Sequence, residues 1–183
     1  MDFKTAFNRG VELVKLNRDA AEAVASDETA FTWAMLFYAI GGFAAAISYT
    51  AMSFGLGGIM LIFSPVAHVL ISFVYAGILH FIAKLFGGTG TYKGYYSALG
   101  IGSLPGWAKI VPIFGGIAAL WYIPVSVIVT ERVHKLSFGK AVAVVVIPVT
   151  ILFILILLAV AILGYAVFMG IIHTSDMPKW QTI

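Results

Sequence analysis

The polar and apolar positions of this chain are divided into a few long blocks. From Thr29 to Ala83, 55 consecutive positions hold no Lys, Arg, Asp or Glu. A bilayer imposes that pattern, because an uncompensated charge at its centre costs several kcal/mol. As one helix the run would be roughly 80 Å long at ~1.5 Å per residue, against a hydrocarbon core of ~30 Å. The run therefore folds back on itself. The reversal is expected at Ser53-Phe54-Gly55-Leu56-Gly57-Gly58, where glycine removes the steric cost of a tight turn. A second charge-free run, Ala141 to Ser175, also exceeds one perpendicular span. It is accommodated by tilt, by a kink at Pro148, or by an end near Gly164. Ahead of both runs, residues 1–27 mix charges with Phe3, Phe7, Val11 and Val14 at helical spacing. That spacing predicts an amphipathic helix, lying on the membrane surface or packed on the protein, with Ser26-Asp27 capping the next helix.

These blocks predict an all-α polytopic membrane bundle of five transmembrane helices behind a short amphipathic N-terminal helix. Residues 1–29 form the N-terminal segment and residues 30–183 the membrane domain, with spans at about 31–51, 59–83, 95–112, 115–131 and 141–163. The third is short and interrupted by Gly100, Gly102, Pro105 and Gly106.

Charge then orients the bundle. Nine basic residues fall on the N-terminal side: Lys4, Arg9, Lys15, Arg18, Lys84, Lys93, Arg132, Lys135 and Lys140. Only Lys109 and Lys179 fall on the other. The positive-inside rule predicts a cytoplasmic N-terminus and an external C-terminus. Tyr92, Tyr95 and Tyr96 are expected in an aromatic belt at the cytoplasmic face, and Trp107 in one at the external face. The net charge of +3 comes from residues near segment ends, which sets topology and does not imply nucleic acid. Cysteine is absent, which excludes disulfides, thiolate metal sites and cysteine nucleophiles. The charged N-terminus has no apolar h-region, so an uncleaved first span is expected in place of a signal peptide. No internal repeat is evident.

Four clusters carry candidate chemistry. Ser64, His68, Ser72 and Tyr75 recur at steps of four, four and three, one polar stripe on the second span. It reads as a proton relay or solute ligand inside the bundle, or as a neutral histidine bonded across helices. His80 and Lys84 read as an interfacial histidine beside a snorkelling lysine. Glu131, Arg132, His134 and Lys135 close the fourth span. Glu131 and His134 are one turn apart and predict an ion pair, or a docking point for a partner. Pro105, Gly106, Lys109 and Pro112 break the third span, and such breaks expose backbone dipoles to ligands. Lys109 then faces a cavity and attracts an anion, or snorkels to the headgroups. No Gly-x-Ser-x-Gly, His-Glu-x-x-His or Gly-x-x-x-x-Gly-Lys is present, and no aspartate lies in a predicted span. No enzyme, metal or other cofactor is expected.

From Phe86 the stretch FGGTGTYKGYYSALGIGSLPGWAKIVPIFGGIAALWYIP, followed by TERVHKLSFGKAVAVVVIP, resembles the Yip family of Ypt/Rab-interacting membrane proteins. The likeness lies in the order of a Gly-Gly turn, an aromatic entry, Leu-Pro, Pro-x-x-Gly-Gly and Glu-x-x-His. It covers roughly Ile59 to Leu163. The resemblance implies a five-helix bundle without catalytic chemistry, of prokaryotic type, in a prokaryotic cytoplasmic membrane. A Rab-type GTPase is a partner only in the eukaryotic case, where a longer hydrophilic N-terminal domain precedes the spans. Two functions are then expected. The first is a non-enzymatic scaffold that organises membrane-protein partners, membrane lipids or membrane traffic, including homo-oligomers. The second is a small oligomeric transporter or channel centred on His68.

Overall fold

A computed structural model describes residues 1–55 and 57–175, and every regular element among them is helical. Eight α-helices and one 3₁₀ helix follow in order. They are α1 (Phe3–Val14), α2 (Arg18–Ser26), α3 (Ala30–Met52), α4 (Met60–Leu85), α5 (Tyr92–Ile101), the 3₁₀ helix (Leu104–Ile110), α6 (Phe114–Ala119), α7 (Tyr122–His134) and α8 (Phe138–Ser175). Met1–Val145 form one compact unit and Val146–Ile183 a second.

The expected membrane hairpin is present. α3 ends at Met52, α4 begins at Met60, and Phe54 and Gly55 between them take positive φ. Four helical segments among the described residues are long and apolar enough to cross a membrane: Ala30–Met52, Met60–Leu85, Phe114–His134 and Phe138–Met169. Four of the five expected spans are thus matched by such a segment, and the one at 95–112 is not. The segment at 95–112 divides into the 10-residue α5 and the 7-residue 3₁₀ helix, each too short to cross alone. Gly102 closes α5, Pro105 opens the next element, and the missing proline N–H prevents one continuous ladder. The fourth predicted span is itself stepped at Leu120-Trp121, between α6 and α7. Lys179 and Asp176 lie outside the described residues.

The N-terminal segment is two helices packed on the bundle, where one was expected. Leu16 takes φ 63° at the break, and Asn17 caps α2 by accepting from Asp19 N at 3.0 Å. Ala6, Gly10 and Leu13 are buried, not the expected stripe of Phe3, Phe7, Val11 and Val14. Small residues let α1 approach closely, while Phe3 and Phe7 spread sideways onto Trp33, Phe37 and Trp107. Trp107 donates to Phe37 O at 2.9 Å, so it joins the surface covered by α1 and not an opposite belt. The expected Ser26-Asp27 cap does not form: the N-cap of α3 is Thr29, without a side-chain cap bond, and Asp27 ahead of it accepts from Thr29 N and Oγ1 at 2.8 and 2.6 Å. Ser26 Oγ instead bonds back to Glu22 O at 2.9 Å.

α5 is the centre of the first unit. Ten consecutive residues, Gly94 to Ser103, are buried against α1, α2, α3, α4 and α7. Tyr95 and Tyr96, expected in an interfacial belt, are wholly buried. Both hydroxyls find partners, as a buried phenol requires. Tyr95 donates to Thr130 Oγ1 at 2.7 Å, since the Thr130 hydroxyl itself donates to Ser126 O. Tyr96 stacks on Phe73 with centroids 4.4 Å apart and donates to Ser72 Oγ at 2.9 Å.

In the second unit the outward character is uniform. From Val149 to Met169 every residue of α8 is exposed. Pro148 lies within this helix, which continues past Gly164 without ending.

Candidate functional site

Two of the sequence-predicted clusters converge on one cavity. A cavity of about 290 Å³ lies between α3, α4, the 3₁₀ helix, α6 and α7. Its lining brings His68, Ser72 and Tyr75 of the α4 stripe together with Lys109 of the broken segment. Tyr38, Ser103 and Tyr122 complete its polar wall. Those three escape a reading of the sequence, because nothing in local spacing shows that residues 38, 103 and 122 meet. Ser64 does not line the cavity. Its Oγ donates to Gly42 O at 2.9 Å and ties α4 to α3. Pro105 borders a different groove with Val11, Val14 and Trp121. Pro112 begins the chain reversal, its carbonyl accepting from Phe114 N at 2.8 Å around Ile113 at φ 66°.

Several hydroxyls around the cavity are already committed. Tyr122 donates to Leu99 O at 3.1 Å, so the 2.8 Å contact between Tyr38 and Tyr122 is a donation by Tyr38. Ser72 donates to Val69 O at 2.7 Å, and Ser103 to Gly100 O at 2.6 Å. Among the described residues, no Asp or Glu lines the cavity. The cavity is level with Gly41, the twelfth of the 23 residues of α3.

The third cluster lies where α4 and α7 end. The expected Glu131–His134 pair does not form. Glu131 accepts from Arg18 Nε at 3.1 Å, and Arg132 faces Asp19 at 3.8 Å and Glu22 at 3.6 Å. The carboxylates of α2 thus hold the α7 end by charge, while His134 turns inward. Its Nε2 lies 3.3 Å from His80 Nδ1, and its ring meets Tyr95 edge-on at 4.6 Å. His80 is half-buried among His134, Tyr92 and Tyr95. Two imidazoles do not make a metal centre, and no group of three or more ligating side chains occurs among the described residues. Lys135 is exposed and takes the left-handed conformation that ends α7.

The Gly-Gly-Thr-Gly loop has a packing reason at this end. A Cβ at Gly88 would lie 2.7 Å from His134 Nδ1 and 2.8 Å from Ala83 O. Thr89 N donates to His134 O at 3.0 Å, and Lys140 Nζ to Phe86 O at 3.1 Å. The loop is thereby clamped between the end of α7 and the start of α8.

A family model described as the Yip1 domain matches residues 12–161. No curated protein and no solved structure matches the chain. The matched stretch takes in α2 to α7, the clamped glycine loop, the cavity and much of α8. Apolar helices of membrane-crossing length and a match over most of its residues place the chain in the Yip family of integral membrane proteins.

Proposed function

We propose that this Yip-family protein is a non-enzymatic membrane scaffold. Its docking surface for other membrane proteins would be the end of the first unit where α2, the 86–91 loop and the end of α7 meet. The observation that carries this reading is the assembly of those three segments into one fixed, charged face. Arg18–Glu131 and Arg132–Glu22 join α2 to α7, and Thr89 N joins the loop to His134 O. A groove of about 250 Å³ runs between them, lined by Glu22, Ser26, Gly90, Thr91, Arg132 and Lys135. A fixed face loses little conformational freedom on binding, which favours affinity from a small contact area. Of the four candidate docking residues, Glu131, Arg132 and His134 serve mainly to build the face, and Lys135 is the exposed one. The five-span topology with a cytoplasmic N-terminus belongs to the same reading, and would set this face in the cytoplasm.

The absence of cysteine makes the test direct. A photocrosslinker on Ser26→Cys should capture defined membrane proteins in native membranes, and Lys135→Glu should reduce that capture. A crosslinker on Gly77→Cys, away from the face, serves as control. Equal capture from both positions, or capture indifferent to Lys135→Glu, would refute the docking face.

A second reading, an oligomeric transporter or channel, is favoured by the meeting of His68 and Lys109 in one cavity at mid-helix depth. It predicts proteoliposome flux that His68→Ala abolishes, and flux unaltered by that change would dismiss it.

A further inference from the structure

Lys109 sits half-buried on the 3₁₀ helix and lines the 290 Å³ cavity. Among the described residues it joins no ion pair, although five other pairs form in the same unit. Among the described residues the cavity wall supplies no carboxylate, and the neighbouring titratable side chains are His68, Tyr38, Tyr75 and Tyr122. A cation inside a membrane bundle is costly unless a counter-charge reaches it. Lys109 brings three N–H donors to the cavity and His68 at least one. The hydroxyls of Ser72, Ser103, Tyr38 and Tyr122 are spent on protein acceptors. The two basic side chains, one on α4 and one on the 3₁₀ helix, therefore border a volume to which no described residue brings an anion.

The volume and its mouth restrict what fits. At about 290 Å³ the cavity is at the small end of ligand pockets, enough for a headgroup or a compact metabolite and not for a peptide. One lining residue, Ile71, is 64% exposed, so the cavity reaches the outer surface of α4 past apolar side chains. Leu70 and Val74 beside it are exposed as well. A ligand with a charged head and an apolar body matches that gradient from basic interior to apolar rim.

We infer that this cavity is an oxyanion-binding site, in which Lys109 and His68 hold the phosphate of an anionic lipid headgroup. The same chemistry would accept a free phosphate, and binding separates the two sources. The inference goes beyond the docking face, and because it concerns occupancy it holds with or without flux.

The full-length protein in neutral detergent is exposed to phosphatidylglycerol, phosphatidylcholine or inorganic phosphate, and bound species are counted by native mass spectrometry. Phosphatidylglycerol should be retained over zwitterionic phosphatidylcholine. Lys109→Gln should weaken its retention about tenfold or more, the loss expected for one charge-assisted contact. Lys109→Arg should keep it, and Lys4→Gln, an exposed lysine outside the cavity, should not alter it. Inorganic phosphate that binds and displaces the lipid would identify the soluble anion as occupant of the same site. Should Lys109→Gln fail to fold, His68→Gln with Lys109 intact must lower phosphatidylglycerol retention and leave phosphatidylcholine unchanged. Equal retention of the two lipids, or a loss as large in Lys4→Gln as in the cavity variants, would overturn the site.

Discussion

Gly42→Ala should loosen the α3–α4 hairpin although it adds one methyl group to a helix. The Cβ introduced there would lie 2.7 Å from Ser64 O and 2.8 Å from His68 Cβ. Neither neighbour can give way, since one is backbone and the other is the root of a side chain. Overpacking of this kind costs about 1–3 kcal/mol. The helices must part to admit the methyl, which also stretches the 2.9 Å bond from Ser64 Oγ to Gly42 O. An interhelical hydrogen bond in a membrane contributes roughly 0.6 kcal/mol. Against this, alanine is favoured over glycine within a helix by about 0.8–1.0 kcal/mol. The net effect is a destabilisation of roughly 0.7–2.7 kcal/mol, up to about a hundredfold in the folded-to-unfolded ratio. Two neighbouring glycines supply the controls. A Cβ at Gly41 would meet Trp107 Cδ1 at an ordinary 3.7 Å, and one at Gly77 would meet nothing within 4 Å. Gly41→Ala should be near neutral and Gly77→Ala neutral or stabilising. Reversible unfolding of the three variants by sodium dodecyl sulfate in mixed micelles, followed by circular dichroism, measures the series. If Gly42→Ala unfolds with the wild type, or Gly77→Ala is equally damaging, close backbone approach is not what holds this hairpin.

Tyr95→Phe removes the hydroxyl that donates to Thr130 Oγ1 and should cost about 1 kcal/mol. In the same micelle assay, Thr130→Val added to Tyr95→Phe should cost less than the sum of the two single changes, because the pair is already broken. The Asp27 carboxyl is held below its ordinary 3.8 by hydrogen bonds from the Thr29 hydroxyl and then the Thr29 N–H. A depressed carboxyl stabilises the turn above its unfolded value and loses that effect as pH falls through the folded one. Asp27→Asn should therefore speed amide exchange around Thr29 at neutral pH, with the difference from wild type closing only below 3.8.

The sequence made the hairpin legible because the bilayer imposes a length. An uncharged run of 55 residues must fold back, and the glycines at 55, 57 and 58 leave few other places for the turn. The polar stripe on α4 was legible by period, yet its four members divide between a helix tie at Ser64 and a cavity wall at His68, Ser72 and Tyr75. What period cannot show is which distant side chain answers each polar group. Tyr95 is read as interfacial until Thr130 supplies a buried acceptor. The Glu131–His134 pair failed because a turn of helix brings residues near each other without excluding better partners. Arg18, 113 positions away, took the carboxylate. In the N-terminal segment the large apolar residues drew attention, while the close contact was made by Ala6 and Gly10, which a hydrophobic pattern weights least.

The pairing of Tyr95 with Thr130 bears on how the protein is made. A chain synthesised from its N-terminus presents α3, α4 and then α5 to the membrane before α7 has left the ribosome. During that interval the Tyr95 hydroxyl has no Thr130, and His80 has no His134. The glycine loop likewise waits for the His134 carbonyl that fixes Thr89. The nascent helices thus carry unmet polar groups that insertion chaperones or quality-control proteases can recognise, and these are concealed together when about 40 further residues arrive and α7 docks. A nascent chain halted before Ser126 would remain marked in this way, whereas one released after Lys135 would not.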